Sequence, residues 1–358
     1  MESGRVISIL LLFGSFFCLS KKNYSQCLMK KREFHCFHVD THLFLRSTET
    51  TCINQVISQS RSYYQANVNI SNCNFQRFVQ FVGDGGVIYI KGDLYYLFIE
   101  NSVFFGCFCT KNGGGIHFHS NRVVFSKICA KLCSANYGHF GYIIAKEDNF
   151  HDHLSITSCS NVTNGYYSIE INSGNQKIQN VNSSMNKASQ MSGIGNGNPA
   201  SFSCSYCSFS HNNMSSGICI MMNGNTGTIF CSNIIHNICP TSFGIVYVYG
   251  SYLLKYCIFS NNHNVLFHIS TGNLSIIHCL IFHSGAISTT YGLFASNNNS
   301  YISASTYFIH FYNSAYCNTD GILPIIETSK QIYRSLIFVF IHYLISEEDS
   351  FGVTLIGS

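Results

Sequence analysis

The chain has 358 residues, 46% apolar and only 10% charged, with a formal net charge of +4. A soluble domain carries roughly 25% charged residues, so a compact globule wetted mainly by charge is excluded, and Asn and Ser must supply the polar surface. A charge of +4 without a basic stripe also excludes an electrostatic nucleic-acid binder, and the short cluster Lys30, Lys31 and Arg32 reads as a solvated flank.

Taken in chain order, the first feature is an apolar run from Val6 to Leu19 preceded by Arg5, with Cys18 and Ser20 as the small residues before a cut ahead of Lys21. This predicts a signal peptide over residues 1–20. The alternative is an uncleaved segment that tethers the chain to a membrane, although the run is shorter than the about 20 residues needed to span one. Lys21 and Lys22 after the run also oppose the usual charge bias. Residues 21–64 read as an N-terminal cap or a first irregular coil. The 18 cysteines and the Asn-x-Ser/Thr sequons at Asn23, Asn69, Asn161, Asn182, Asn213, Asn273 and Asn298 fit an oxidising, secretory route. The expected location is therefore extracellular or at the cell surface.

Residues 65–330 repeat. One element runs apolar, two residues, Cys or Asn, apolar, then an Asn-rich turn. Its instances centre on Cys73, Asn101, Cys129, Cys159, Asn182, Cys207, Cys231, Cys257, Cys279 and Asn313. The mean spacing of about 27 residues lies in the solenoid range. A second element is a Gly-led alternating strand, as in Gly85–Ile90, Gly113–His119, Gly141–Ala145, Gly165–Ile171, Ser216–Met222 and Phe243–Tyr249. Glycine suits a bend that needs positive φ, and alternation divides inner from outer side chains. No stretch carries helical periodicity. The units are too short for propeller blades and lack the Leu pattern of leucine-rich repeats. A β unit of this size buries its apolar face only by stacking on its neighbours. The predicted fold is all-β, a right-handed parallel β-helix solenoid of about ten coils. Residues 331–358 read as a further, incomplete coil, and the apolar run Leu336–Ile345 as a buried strand.

In such a stack Cys73, Cys129, Cys159, Cys207, Cys231, Cys257 and Cys279 would share one repeat position and form a structural column. They would be either buried thiols or neighbours oxidised in pairs, since strand spacing lies within the disulfide range.

Paired Gly followed by aliphatic residues, in Gly85–Ile88 and Gly114–Ile116, alternates with Phe-x-x-Asn, in Phe209–Asn212 and Phe259–Asn262. Over residues 65–325 this resembles the repeat of polymorphic outer-membrane proteins and of cysteine-rich protist surface proteins. The resemblance implies a surface-displayed β-helix with adhesin-like or antigenic roles. The chain departs from the bacterial pattern in having no C-terminal barrel. It also lacks the C-terminal transmembrane helix of anchored forms. Phe351–Gly357 looks like the start of another coil, whose bare edge would associate end to end.

Catalysis has weaker support. Asn318–Gly321 is similar to one motif of polygalacturonases, but no paired Asp, Gly-His-Gly or Arg-Ile-Lys accompanies it. The only carboxylates near one coil spacing are Glu147, Asp148 and Asp152 with Glu170, and Asp320 with Glu327 and Glu347. His117/His119 and His151/His153 are same-side pairs, short of the three or four ligands a metal wants. Cys204/Cys207 is a single CxxC without a redox context. The expected function is adhesion, interaction or antigenic display. The expected partners are host or cell-surface glycans or proteins, with no catalytic residue, cofactor, metal or nucleic acid. The alternatives are a polysaccharide-active β-helix enzyme and a truncated fragment without independent function.

Overall fold

The computed structural model describes residues 25–30, 33–38, 49–53, 56–57, 61–62, 67–160, 165–240, 242–282, 287–297 and 299–301. The chain divides into two units, Met1–Ser47 and Thr48–Ser358. In the first, Ser25–Lys30 and Glu33–His38 pair antiparallel. In the second, Glu49–Ile53 already pairs in parallel with Asn67–Ser71, so the stacked repeat starts before position 65. The expected signal segment 1–20, the end of the repeat region and the segment 331–358 lie outside the described residues.

The second unit is a parallel β-solenoid without helices among the described residues. Each full turn contributes three strand positions, and equivalent positions of successive turns form three ladders. The first ladder can be followed through Tyr89, His117, Tyr142, Glu170, Gly195, Met221, Tyr247, His268 and Ser288, in eight steps of 20 to 28 residues. The solenoid thus has about eight turns. The expectation of ten included a turn centred on Asn313, outside the described residues. Inward residues such as Ile88, Phe118, Ile143, Ile171 and Ile220 are fully buried and join one continuous core. Stacked rungs place like side chains over one another, as with Phe75 and Phe104, whose rings lie 4.7 Å apart.

Glycine is required where the chain enters the first ladder. Gly113 has φ +71°, and a Cβ there would strike the carbonyl of Ile116. The Gly-led strand motif therefore records a backbone bend.

The corners follow one rule. A single left-handed residue turns the chain from the second ladder to the third, as at Asn72, Asn101, Asn180 and Tyr256. Another left-handed residue ends the third ladder, as at Gly106, Leu132, Met185, His211 and Asn261. The next residue points inward, and where it is Asn, Ser or Cys it can serve backbone groups that the bend removes from the strand ladders. After the third ladder, register aligns Cys107, Cys133, Cys159, Asn186, Asn212, Asn237 and Asn262 in one column. The Oδ1 of Asn186, Asn212, Asn237 and Asn262 accepts the backbone N–H of Cys159, Asn186, Asn212 and Asn237 respectively, at 2.9–3.1 Å. Their Nδ2 groups donate to the carbonyls of Ile156, Ser183, Phe209 and Ile234 at 2.7–3.1 Å. Cys107, Cys133 and Cys159 aim their thiols at the equivalent carbonyls of Phe75, Phe104 and Ala130, at 3.6–3.9 Å. Cysteine is therefore a weaker occupant of an asparagine position.

Replacing Cys159 with Asn should extend the amide ladder by one rung and raise stability by about 1 kcal/mol. Urea denaturation measures this. A lower midpoint would mean that the amide does not fit beside Cys133.

Candidate functional site

The outward positions of the first ladder begin with a row of rings. Alternating burial over Ile88–Lys91, Gly141–Thr157 and Ile169–Asn172 places Tyr89, Tyr142 and Glu170 on the outer side. The strand spacing of about 4.8 Å stacks like positions. His117 lies between Tyr89 and Tyr142, with centroids 5.0 and 5.4 Å away and planes within 21° and 16°. Burial lowers its pKa to about 4, against an opposing pull from Asp84. At neutral pH it is an uncharged ring in an aromatic row.

Glu170 follows Tyr142 in this row. The loops before the strands bring three more rings. The Tyr166 N–H donates to the Asn136 carbonyl at 2.8 Å and sets the two loops side by side. Tyr137 and Tyr166 then stack at 4.4 Å with planes 4° apart, and Tyr167 lies 5.9 and 6.1 Å from them. All three rings, Tyr142 and Glu170 are half-buried.

The Glu170 carboxylate accepts from Asn172 Nδ2 at 3.4 Å, and its strand partner on the far side is Gly195, which has no side chain to offer. Burial holds its carboxyl above the usual range, opposed by the Asn172 bond. Burial, then the Glu170 charge, raises the phenols of Tyr142 and Tyr167, the latter to about 12. Tyr137 is also raised, by burial, then by Tyr166, then by Glu170. The result is a shelf of four tyrosines with Glu170 at one end of the row, and a neutral histidine at the other, where Asp84, held by Asn112, lies near. It can stack, donate phenolic hydrogen bonds and accept at Glu170.

The other carboxylates do not join it. Asp148 and Glu147 pair with Arg122 at 2.8 and 3.7 Å. Asp152 pairs with His153 at 2.8 Å and accepts from Asn180. It sits in the second ladder, opposite Gln179, while Glu170 is in the first. The constellation expected from coil spacing is thus dispersed, because the chain bends to another ladder between Tyr142 and Asp152. Asp320, Glu327, Glu347 and the Asn318–Gly321 motif lie outside the described residues.

Of the histidine pairs, His117 and His119 share the outer side of one strand, while His151 and His153 separate. His151 and His153 lie in the strand Gly141–Thr157 and not in a loop; His151 is fully buried against Phe125, while His153 meets Asp152. His119 is partly exposed, whereas His117 is enclosed by rings. Among the described residues no group of three His, Cys, Asp or Glu could hold a metal ion.

The seven-cysteine column divides. Cys73, Cys207, Cys257 and Cys279 share the corner between the second and third ladders, level with Ser102 and Ser232. Cys231 is the left-handed residue just before that column. Cys129 lies inside the third ladder opposite Val103 and is disulfide-bonded. Cys159 belongs to the next corner, with Cys107 and Cys133. The reason is that each coil has two similar corners a few residues apart, and either accepts Cys or Asn. Cys257 and Cys279 are adjacent thiols, not a disulfide. Burial raises the thiol pKa of Cys231 to about 12, chiefly by desolvation. Cys204 and Cys207 are both buried, Cys204 on the inner side of the second ladder.

Of the sequons, Asn273 is exposed, and Asn69 and Asn213 are half-buried. Asn182 is buried in the third ladder, so a glycan there is incompatible with the packed coil. Asn23, Asn161 and Asn298 lie outside the described residues.

Sequence reasoning did not single out the tyrosine shelf. The signal was present as Tyr137, Tyr166–Tyr167 and the outward Tyr89 and Tyr142, but only the register joins them. Comparison of the chain with protein-family models, curated proteins and solved structures finds no match.

Proposed function

We propose that the protein is a non-catalytic, surface-exposed β-solenoid that binds glycans through the tyrosine shelf, in an adhesive or antigenic display role. The observation that carries this reading is the outward row Tyr89–His117–Tyr142, which runs into Tyr137, Tyr166, Tyr167 and Glu170. On the wet side of a sheet, polar side chains are the ordinary occupants. Rings with an apolar body and a polar tip suit sugars, which present both C–H faces and hydroxyls. Lateral binding along stacked repeats is the usual mode of solenoids. The apolar N-terminal run, the sequons and the resemblance to polymorphic outer-membrane repeats support a secretory route and surface display. The separation of Asp152 from Glu170 supports a non-catalytic role, because glycoside cleavage uses a facing pair of carboxyl groups.

The test is an array of immobilised neutral, acidic and amino glycans, probed with the full chain. Binding to at least one class is expected, with a loss of about tenfold or more in affinity for Tyr142→Ala and Tyr166→Ala, each equivalent to about 1.4 kcal/mol. No glycan bound, or binding indifferent to both substitutions, would refute the assignment.

A further inference from the structure

Among the described residues, Glu170 stands without a cation. Among the described residues its hydrogen-bonded side-chain partner is the neutral amide of Asn172, and Gly195 occupies the paired position on its far side. The carboxylates of the second ladder behave differently: Asp148 and Asp152 each face a basic residue, Arg122 and His153. The groups around Glu170 cannot supply positive charge. Tyr142, Tyr137, Tyr166 and Tyr167 are phenols, and His117, one rung further in the row, is held neutral by burial. Aromatic faces attract cations through the ring quadrupole, and the attraction strengthens as water is excluded. When ionised, a half-buried carboxylate beside such rings carries a charge that the described residues leave uncompensated.

We propose that the shelf is selective for an ammonium group carried on a sugar, so that its ligand class is an amino-sugar oligosaccharide with free amines. The amine would lie against the Glu170 carboxylate, while the sugar ring packs on the neighbouring tyrosines. This rests on the glycan-binding reading above and narrows it. The aromatic row favours a sugar over a bare amine, because stacked rings along successive rungs match a chain of successive rings. Lysine-rich peptide is a separate ligand that the test distinguishes.

The probes are a glucosamine tetramer, its fully N-acetylated counterpart and a tetralysine peptide. Calorimetry with the full chain at about pH 6.5 keeps most of the amines protonated. The glucosamine tetramer is expected to bind at least about tenfold tighter than the acetylated one, and tighter than tetralysine, and added salt weakens only the charged ligands. Glu170→Gln, which keeps the shape and the Asn172 contact, should abolish the preference for the glucosamine tetramer over the acetylated one. Glu170→Asp should retain part of the preference. Circular dichroism of both variants establishes that the coil is intact.

Equal or tighter binding of the acetylated tetramer, a preference that survives Glu170→Gln, or tetralysine as the tightest ligand would overturn the ammonium assignment. If Tyr142→Ala still weakens the acetylated tetramer in those cases, the shelf remains a glycan site and only its selectivity is lost. If neither tetramer binds, the ammonium assignment fails, and the glycan array alone decides the broader reading.

Discussion

Lowering the pH from 7 to 5 is expected to cost the solenoid up to about 6 kcal/mol of stability, through three buried histidines. Burial lowers the pKa of His151 to about 3 and those of His139 and His117 to about 4, from an ordinary value of 6.5. His151 is fully buried with no hydrogen-bond partner on either ring nitrogen. His139 accepts the Ala135 N–H on Nδ1, a bond that keeps that nitrogen unprotonated. The folded pKa of each lies below the unfolded one. Below pH 6.5 the unfolded chain therefore binds protons that the folded chain refuses. Stability is full above pH 6.5 and falls at about 1.4 kcal/mol per pH unit per histidine until the folded pKa is reached. The total stability of a folded domain is only 5–15 kcal/mol, so this fall brings it close to unfolding. Urea midpoints at pH 7, 6 and 5 measure the slope. His151→Ile, matching Ile178 on the next rung, should remove about a third of it. Equal midpoints at pH 7 and pH 5 would show that these rings accept protons in the folded state.

Asn237→Leu is expected to destabilise the protein by roughly 2–6 kcal/mol. The substitution removes the acceptor for the Asn212 N–H and the donor to the Phe209 carbonyl, bonds of 3.0 and 2.9 Å. Both groups are at a buried corner where water cannot replace the amide, and each orphaned group costs about 1–3 kcal/mol. Leucine has the same four side-chain heavy atoms and the same branching as asparagine, so shape alone would predict a small change. Asn237→Cys should cost less than Asn237→Leu, because Cys107, Cys133 and Cys159 occupy equivalent corners of the same column and still direct sulfur at the carbonyl. A Leu variant as stable as the parent would show that these corner groups find other partners. The ladder meets the site at one corner: its first member, Asn186, accepts the N–H of Cys159, the corner that precedes Tyr166 in the chain.

Local chemistry alone determined the class of this protein. Glycine at positions such as Gly85 and Gly113, followed by alternating apolar residues, announces a bend and a half-buried strand, because a Cβ there would strike the carbonyl three residues on and only period two sorts the faces. Recurrence of these signals without helical periodicity implies stacked coils, since one coil cannot bury its own apolar side. Of the row Asn186, Asn212, Asn237, Asn262, two members, Asn212 and Asn262, stand out in the sequence as the ends of Phe-x-x-Asn motifs. What lies above what was decided only by the tertiary structure. Turns of 20 to 28 residues absorb their differences in the loops, and each coil has two corners that accept Cys or Asn. An average period therefore carries no residue-level phase, and a slip of one residue moves a side chain to the other face. For that reason Cys159 stands over Cys133 and not in line with Cys207. The site depended on the same phase. Tyr137 and Tyr166 come from loops of adjacent coils and meet Glu170 only because backbone hydrogen bonds between those loops set the register.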